Sequence, residues 1–146
     1  IAFPSSRMQD SAAEPEPEKH TLLVVEDSKF FRQQVAKHLR QMGFDIIEAA
    51  DGAIALDILQ QRVEEIDLVV TDVEMPNMTG LELSKSIRAD MSLAHLPIIA
   101  LTSLASDDDI SRGLACGVNE YQIKLDRDSL AESVQRLVGK KQPVGV

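Results

Sequence analysis

Ile66-Asp67-Leu68-Val69-Val70-Thr71 runs into Asp72 and then into the loop Val73-Glu74-Met75-Pro76-Asn77. A short apolar run bounded by turn-forming residues reads as a strand buried on both faces, here Ile66–Thr71. Asp72 then stands at its carboxyl end. Leu22-Leu23-Val24-Val25 ends in Glu26-Asp27 in the same way, and Thr102 and Lys124 follow two later runs. In a parallel sheet the carboxyl ends of the strands share one edge. The sequence therefore predicts three carboxylates, a hydroxyl and an ammonium in one place.

Outward from that run, strand and helix patterns alternate. Thr21–Glu26 reads as strand one. Phe31, Val35, Leu39 and Met42 follow at helical spacing, with Ser28 as N-cap and Gly43 as the stop. Phe44–Ala49 reads as strand two, and Ala55, Leu56 and Leu59 mark a helix starting near Gly52. Leu81–Arg88 reads as a third helix with Leu83 and Ile87 inward. Leu96–Leu101 is strand four, with Pro97 expected at its start, where a missing donor matters least. Ser106 caps a fourth helix whose first turn, Asp107-Asp108-Asp109, complements the helix dipole. Val118–Lys124 is strand five, and Leu130, Val134, Leu137 and Val138 form the face of a last helix. Such alternation implies an α/β fold: a doubly wound five-stranded parallel sheet with helices on both faces and right-handed crossovers. With strand order 2-1-3-4-5, strands one and three are neighbours, so Glu26, Asp27 and Asp72 share the crevice at the topological switch point.

The bulk numbers bound the possibilities. The chain has 146 residues and a formal charge of −9. That length supports one domain, and that charge speaks against a nucleic-acid or anionic-membrane surface. One cysteine, Cys116, allows neither an intrachain disulfide nor a Cys-based zinc site. The reducing cytoplasm is the expected compartment. Residues 1–20, with Glu14-Pro15-Glu16-Pro17-Glu18, are expected to be a flexible linker, 21–138 the domain, and 139–146 a tail. The chain starts at Ile1, which fits a module cut from a longer polypeptide.

Clustered carboxylates repel: two unit charges about 4 Å apart cost roughly 4 kcal/mol at an effective dielectric of about 20. Protonation or a bound cation relieves this, and Mg²⁺, with Mn²⁺ as the alternative, suits oxygen donors. Lys124 adds positive charge, and Thr102 offers a hydroxyl to a phosphoryl oxygen. Asp72 can then act as a nucleophile toward phosphorus, forming an acyl phosphate. No Gly-rich nucleotide-binding loop is present, so the phosphoryl group must come from another protein or a small donor.

Val24-Val25-Glu26-Asp27-Ser28, Asp72-Val73-Glu74-Met75-Pro76-Asn77-Met78-Thr79-Gly80, Thr102-Ser103 and Tyr121 three residues before Lys124 together resemble the two-component receiver domains, over about residues 20–138. The resemblance implies a flavodoxin-like (CheY-like) fold. It also implies Asp72 as phosphoacceptor, Asp27 as a direct Mg²⁺ ligand, Glu26 as one acting through water, and the Glu74 backbone carbonyl as a further ligand. Thr102 and Tyr121 are implied as the switch pair, Lys124 as the partner of the phosphoryl group, and Glu74 and Leu104 as tuners of its lifetime. The implied partners are a histidine kinase or phosphotransfer domain, in the same polypeptide or another, and a chemotaxis coupling or output protein. No nucleic acid or membrane contact is implied.

Receivers commonly carry proline after this lysine, where this chain has Leu125. A trans Lys124–Leu125 peptide is expected, because a cis bond before a non-proline costs about 2.5–4 kcal/mol. Ser28-Lys29-Phe30-Phe31-Arg32, Ile87-Arg88-Ala89-Asp90, His95-Leu96-Pro97 and Tyr121–Arg127 are similar to the C-terminal receiver of chemotaxis histidine kinases of the CheA type. Receivers of CheV-type coupling proteins and stand-alone regulators are the alternatives. The domain itself is expected to do no more enzymology than self-phosphorylation and self-dephosphorylation; the kinase activity belongs to the parent chain. Two readings from other classes stand beside this: a haloacid-dehalogenase-like phosphatase, and a pseudo-receiver that binds partners without being phosphorylated. His20, His38 and His95 lack ligand-spaced partners and are expected in surface or capping roles. Cys116 is expected as a small buried thiol, and Met75 and Met78 as packing residues.

Overall fold

The computed structural model describes residues 19–103, 106–124 and 126–138. Strand β1 (Thr21–Val25) leads to helix α1 (Lys29–Gln41), β2 (Asp45–Ala49) and α2 (Gly52–Arg62). A short 3-10 turn (Val63–Glu65) precedes β3 (Leu68–Asp72), α3 (Gly80–Ala89), β4 (Ile98–Thr102), α4 (Asp107–Ala115), β5 (Glu120–Ile123) and α5 (Arg127–Val138). The strands form one five-stranded sheet in the order β2-β1-β3-β4-β5. All four pairings are parallel. This is the expected doubly wound architecture.

Why both faces must be covered is visible in the strands, whose successive side chains point to opposite sides. Leu22 and Val24 of β1, Leu68 and Val70 of β3, and Ile99 and Leu101 of β4 pack with Leu39 of α1 and with Leu130 and Val134 of α5. Leu23, Val25, Val69, Ile98 and Ala100 pack with Ala55 and Leu59 of α2 and with Leu83 and Ile87 of α3. Every one of these side chains is essentially out of water. At roughly 1.5–3 kcal/mol per buried large aliphatic side chain, these two layers are what hold the sheet.

Helix starts follow the sequence signals. Ser28 accepts from the Phe31 N–H at 3.4 Å, and Asp51 accepts from the Ile54 N–H at 2.8 Å. Thr79 with Glu82, and Ser106 with Asp109, form reciprocal capping boxes. Gly43 ends the turn after α1 at φ 99, in the left-handed region that glycine tolerates.

Several boundaries differ from expectation. Ile66 is buried but belongs to the turn, its N–H bonded to the Val63 carbonyl. Asp67 also stays outside the strand, and its carboxylate accepts from the Thr21 N–H at 2.9 Å. Asp72 lies inside β3, in register with Leu101, and does not follow the strand. Phe44, Leu96, Pro97 and Val118 precede their strands, and Glu26 and Lys124 follow theirs. Met42 is the C-cap of α1. Cys116 caps α4 and is half-buried, so it is less enclosed than predicted.

His38 departs most. It was expected on the surface, yet its Nε2 is buried and has no hydrogen-bond partner. It lies seven residues beyond Phe31, on the same helical stripe as Phe31 and Val35, which places it toward α5. The linker expected over 1–18, the tail from 139, Leu104 and the Lys124–Leu125 peptide lie outside the described residues. No helix among the described residues is long and apolar enough to cross a membrane.

Candidate functional site

Because β1 and β3 are neighbours in the sheet, their carboxyl ends deliver Glu26, Asp27 and Asp72 to one spot. One ligand oxygen from each lies within 4.8 Å of the others. A crevice of about 370 Å³ opens over them, bordered also by Glu74, Thr102 and Lys124. The five side chains expected at the strand tips, Glu26, Asp27, Asp72, Thr102 and Lys124, come together here, with Glu74 beside them.

The charges in the crevice are unevenly served. Lys124 Nζ sits 2.9 Å from Glu26 Oε1 and 3.3 Å from Asp72 Oδ2. Glu26, 1% exposed, also accepts from the Ser28 N–H through Oε2 at 3.0 Å. Both its oxygens are therefore engaged, which leaves it poorly placed to take a cation directly and well placed to orient Lys124. Asp27 is exposed and Asp72 is buried. Burial, and then the charge of Glu26, push the Asp72 carboxyl up to about 6. The Lys124 ammonium and the Glu74 backbone N–H oppose that rise without cancelling it. Burial alone would lower the Lys124 ammonium, but its hydrogen bond to Glu26 and the two nearby carboxylates raise it overall. At neutral pH the crevice thus holds more negative charge than Lys124 offsets. A cation with oxygen ligands fits this donor set.

Thr102 ends β4, half-buried, at the rim of the crevice. Tyr121 does not border it. In register with Ala100 on β5, its ring packs against the α2–α3 side of the core. Glycine at position 113 of α4 makes room for that ring, since a Cβ there would collide with the ring carbons and the hydroxyl. Gly80 serves the active edge in a comparable way: a Cβ would strike the Asp72 carbonyl, so only glycine lets the start of α3 lie against the end of β3.

Two residues near the site carry weight that the sequence reading did not give them. Arg32 donates from Nη1 to the Glu26 carbonyl at 2.8 Å and from Nε to Glu48 Oε1 at 3.2 Å. It ties α1 to the backbone that presents Glu26. Phe31 places its ring centroid 5.0 Å below Lys124 Nζ, a cation–π contact at the mouth of the crevice. Only the adjacency of Arg32 to Phe31 on α1 hinted at either role.

Comparison with known proteins agrees with this geometry. Residues 22–135 match the response regulator receiver domain family. The chain is 36% identical to Chemotaxis protein CheY of Pseudomonas aeruginosa over 118 residues, covering 80% of this chain and 94% of that protein. It is 41% identical over 133 residues to Histidine kinase P4 of Formosa agariphila, covering 86% of this chain but spanning only 10% of the kinase. The solved structure of Vibrio cholerae chemotaxis protein CheY4 superposes with a TM-score of 0.77 at 32% identity, over 82% of this chain and 99% of that one. Receiver domains hold Mg²⁺ at an acidic cluster and meet histidine kinases or phosphotransfer proteins. From its switch-point carboxylates, its strand order and these matches, the chain belongs to the response regulator receiver domains of two-component signalling.

Proposed function

We propose that Asp72 is the phosphoacceptor, taking a phosphoryl group from a phosphohistidine donor on a histidine kinase or phosphotransfer domain. The observation that carries this is Asp72 itself: a buried carboxylate 3.3 Å from Lys124 Nζ, with Glu26 and Asp27 oxygens within 4.8 Å. An Asp72 carboxylate oxygen attacks phosphorus, the P–N bond to the donor imidazole breaks, and the imidazole leaves with its electron pair. Asp27, Asp72 and the Glu74 carbonyl would hold Mg²⁺ or Mn²⁺, with Glu26 acting through water, and the bound cation would supply charge neutralisation to the transferring group.

Lys124 keeps its ammonium on the Asp72 side and pairs with the phosphoryl oxygens. Thr102 donates its hydroxyl to the phosphoryl group, and Tyr121 follows by turning inward. Phosphorylation thereby favours one of two arrangements by differential contacts. Glu74 and Leu104 tune how long the acyl phosphate survives.

A longer parent fits the small fraction of Histidine kinase P4 that the chain spans. We read the chain as the C-terminal receiver of a cytoplasmic chemotaxis histidine kinase, with 1–20 as linker and 139–146 as tail, meeting a chemotaxis coupling or output protein. A stand-alone or CheV-type receiver is the second reading, favoured by the 94% coverage of Chemotaxis protein CheY.

Incubation with Mg²⁺ and acetyl phosphate, followed by intact-mass measurement, tests the assignment. The expected result is one adduct of about 80 Da, absent from Asp72→Ala and absent without the metal. An unmodified wild-type chain would favour the non-phosphorylated interaction module. Steady release of phosphate from a phosphomonoester would favour a phosphatase.

A further inference from the structure

A second cavity, of about 270 Å³, lies between α1 and α5 and shares only Phe31 and Lys124 with the Asp72 crevice. Its walls include Phe30, Phe31 and Leu130, and its polar groups include His38, Lys124 and Arg127. Asp and Glu outnumber Lys and Arg by 24 to 15 overall, yet no carboxylate borders this groove. Arg127 forms no ion pair among the described residues; its Nη2 reaches across the groove to Gln34 Oε1 at 2.8 Å.

One residue of the groove wall, His38, carries an unmet polar atom just beneath the surface. His38 Nε2 is the one buried side-chain nitrogen or oxygen among the described residues with no hydrogen-bond partner. Such groups normally have partners, because leaving one unmade costs on the order of 1–3 kcal/mol. Phe30 adds a second unsettled feature, an aromatic side chain 66% exposed at the mouth, edge-on to Phe31 at 5.6 Å between centroids. Aromatic walls with a few convergent polar groups are the make-up of a small-molecule site.

We propose that this groove binds a small aromatic carboxylate. The ring enters between Phe30, Phe31 and Leu130. The carboxylate accepts a hydrogen bond from His38, carrying its proton on Nε2, and pairs with the Arg127 guanidinium. The groove is sized for one ring and a short acid. It has cationic groups and no carboxylate on its walls, which selects against amines. Because Phe31 and Lys124 border both cavities, an occupied groove also alters the Asp72 crevice, and the coupling is reciprocal. That second clause rests on the phosphoacceptor reading; binding itself does not.

The binding test is an amide-resolved NMR titration of the metal-free chain with phenylacetate, run against phenethylamine. Phenylacetate is expected to give saturable shifts centred on Phe31, Gln34, His38 and Leu130, and the amine none. His38→Leu and Arg127→Gln, each checked for an otherwise unchanged spectrum, are expected to weaken binding about tenfold. Absence of saturable shifts at the groove, equal response to the amine, or undiminished binding in both variants overturns the site. For the coupling, the rate of acetyl phosphate labelling is expected to change at least about twofold in saturating phenylacetate. An unchanged rate overturns the coupling. No labelling in either condition counts against Asp72 as acceptor, while the titration still decides the groove.

Discussion

The two ends of the sheet each draw a charged side chain out of full solvent contact, Arg88 by about half and Asp72 almost wholly, and they treat it in opposite ways. Where the strands begin, Arg88 of α3 donates to the carbonyls of Gly117 (3.0 Å), Ala94 (3.0 Å) and Leu96 (2.6 Å), and to Asn119 Oδ1 (2.8 Å). Asn119 Oδ1 also accepts from the Ile98 N–H. Burial lowers the Arg88 pKa, but guanidinium stays charged, and its donors are met by neutral acceptors in a fork that suits them. Where the strands end, Asp72 faces a second carboxylate and shares one ammonium with it. The lesson is that a half-buried charge largely met by neutral acceptors is masonry, whereas a buried one left short of partners is available for chemistry.

The largest effect should come from dismantling the satisfied end. Arg88→Ala removes the donors to the carbonyls of Gly117, Ala94 and Leu96 and leaves Asn119 Oδ1 with only the Ile98 N–H, and should cost about 3 kcal/mol in urea unfolding. A loss under about 1 kcal/mol would erase the contrast between the two ends.

The reverse sign is expected at Asp72. Its folded pKa, about 6, lies above the ordinary value of 3.8, so between those values the folded state binds the extra proton. Metal-free stability should therefore fall as pH rises from about 4 to about 6, by about 2 kcal/mol. Asp72→Asn should remove that fall and leave the metal-free domain about 2 kcal/mol more stable at pH 7, by the same unfolding measurement. Added Mg²⁺ should stabilise wild type and not this variant. Equal stability of the two at neutral pH, without metal, would show that the crevice carries no electrostatic strain.

Gly113→Ala should cost about 1 kcal/mol net, as crowding of the Tyr121 ring exceeds the gain in helix propensity. Tyr121 is the only tyrosine, and the chain has no tryptophan. Its intrinsic fluorescence and near-UV circular dichroism should therefore change in this variant and report ring displacement directly.

The smallest effect belongs to Glu120, whose carboxyl is held below its usual range chiefly by a hydrogen bond from Arg136, against opposing burial. A lowered folded pKa contributes stability above the unfolded value, about 4.5, and loses it as pH falls through the folded one. Glu120→Gln should remove that contribution, lowering stability slightly above about 4.5 and flattening the fall on the acid side. Unchanged stability at neutral pH would show that the Arg136 pairing contributes nothing measurable.

Asp72, Glu26, Asp27, Thr102 and Lys124 were legible because each follows or ends an apolar run, and a parallel sheet turns that one-dimensional position into proximity. Arg88, Arg32 and Gly113 were opaque in these roles for a matching reason. Their partners are carbonyls or a ring brought close only by tertiary packing, and nothing in local periodicity marks such an acceptor. His38 was legible but misread: its seven-residue offset from Phe31 already put it on the inward stripe, and its polarity outweighed that spacing. The strand ends were shifted by a residue or two where buried apolar residues, Ile66 and Val118, continue the core without joining the ladder.

Strand parity has one more consequence. Asp72 continues the Leu68–Val70 side of β3, toward α1 and α5, whereas Ala100 and Tyr121 sit beside each other on the opposite side. News of an event at Asp72 cannot travel straight through the hydrogen-bonded ladder to the tyrosine. In the proposed switch the route goes over the lip, by way of Thr102, the last rung of β4 and the next residue on the Ala100 side. On that proposal, enlarging the one-carbon side chain of Ala100 beside the tyrosine should jam the message while leaving the sender intact.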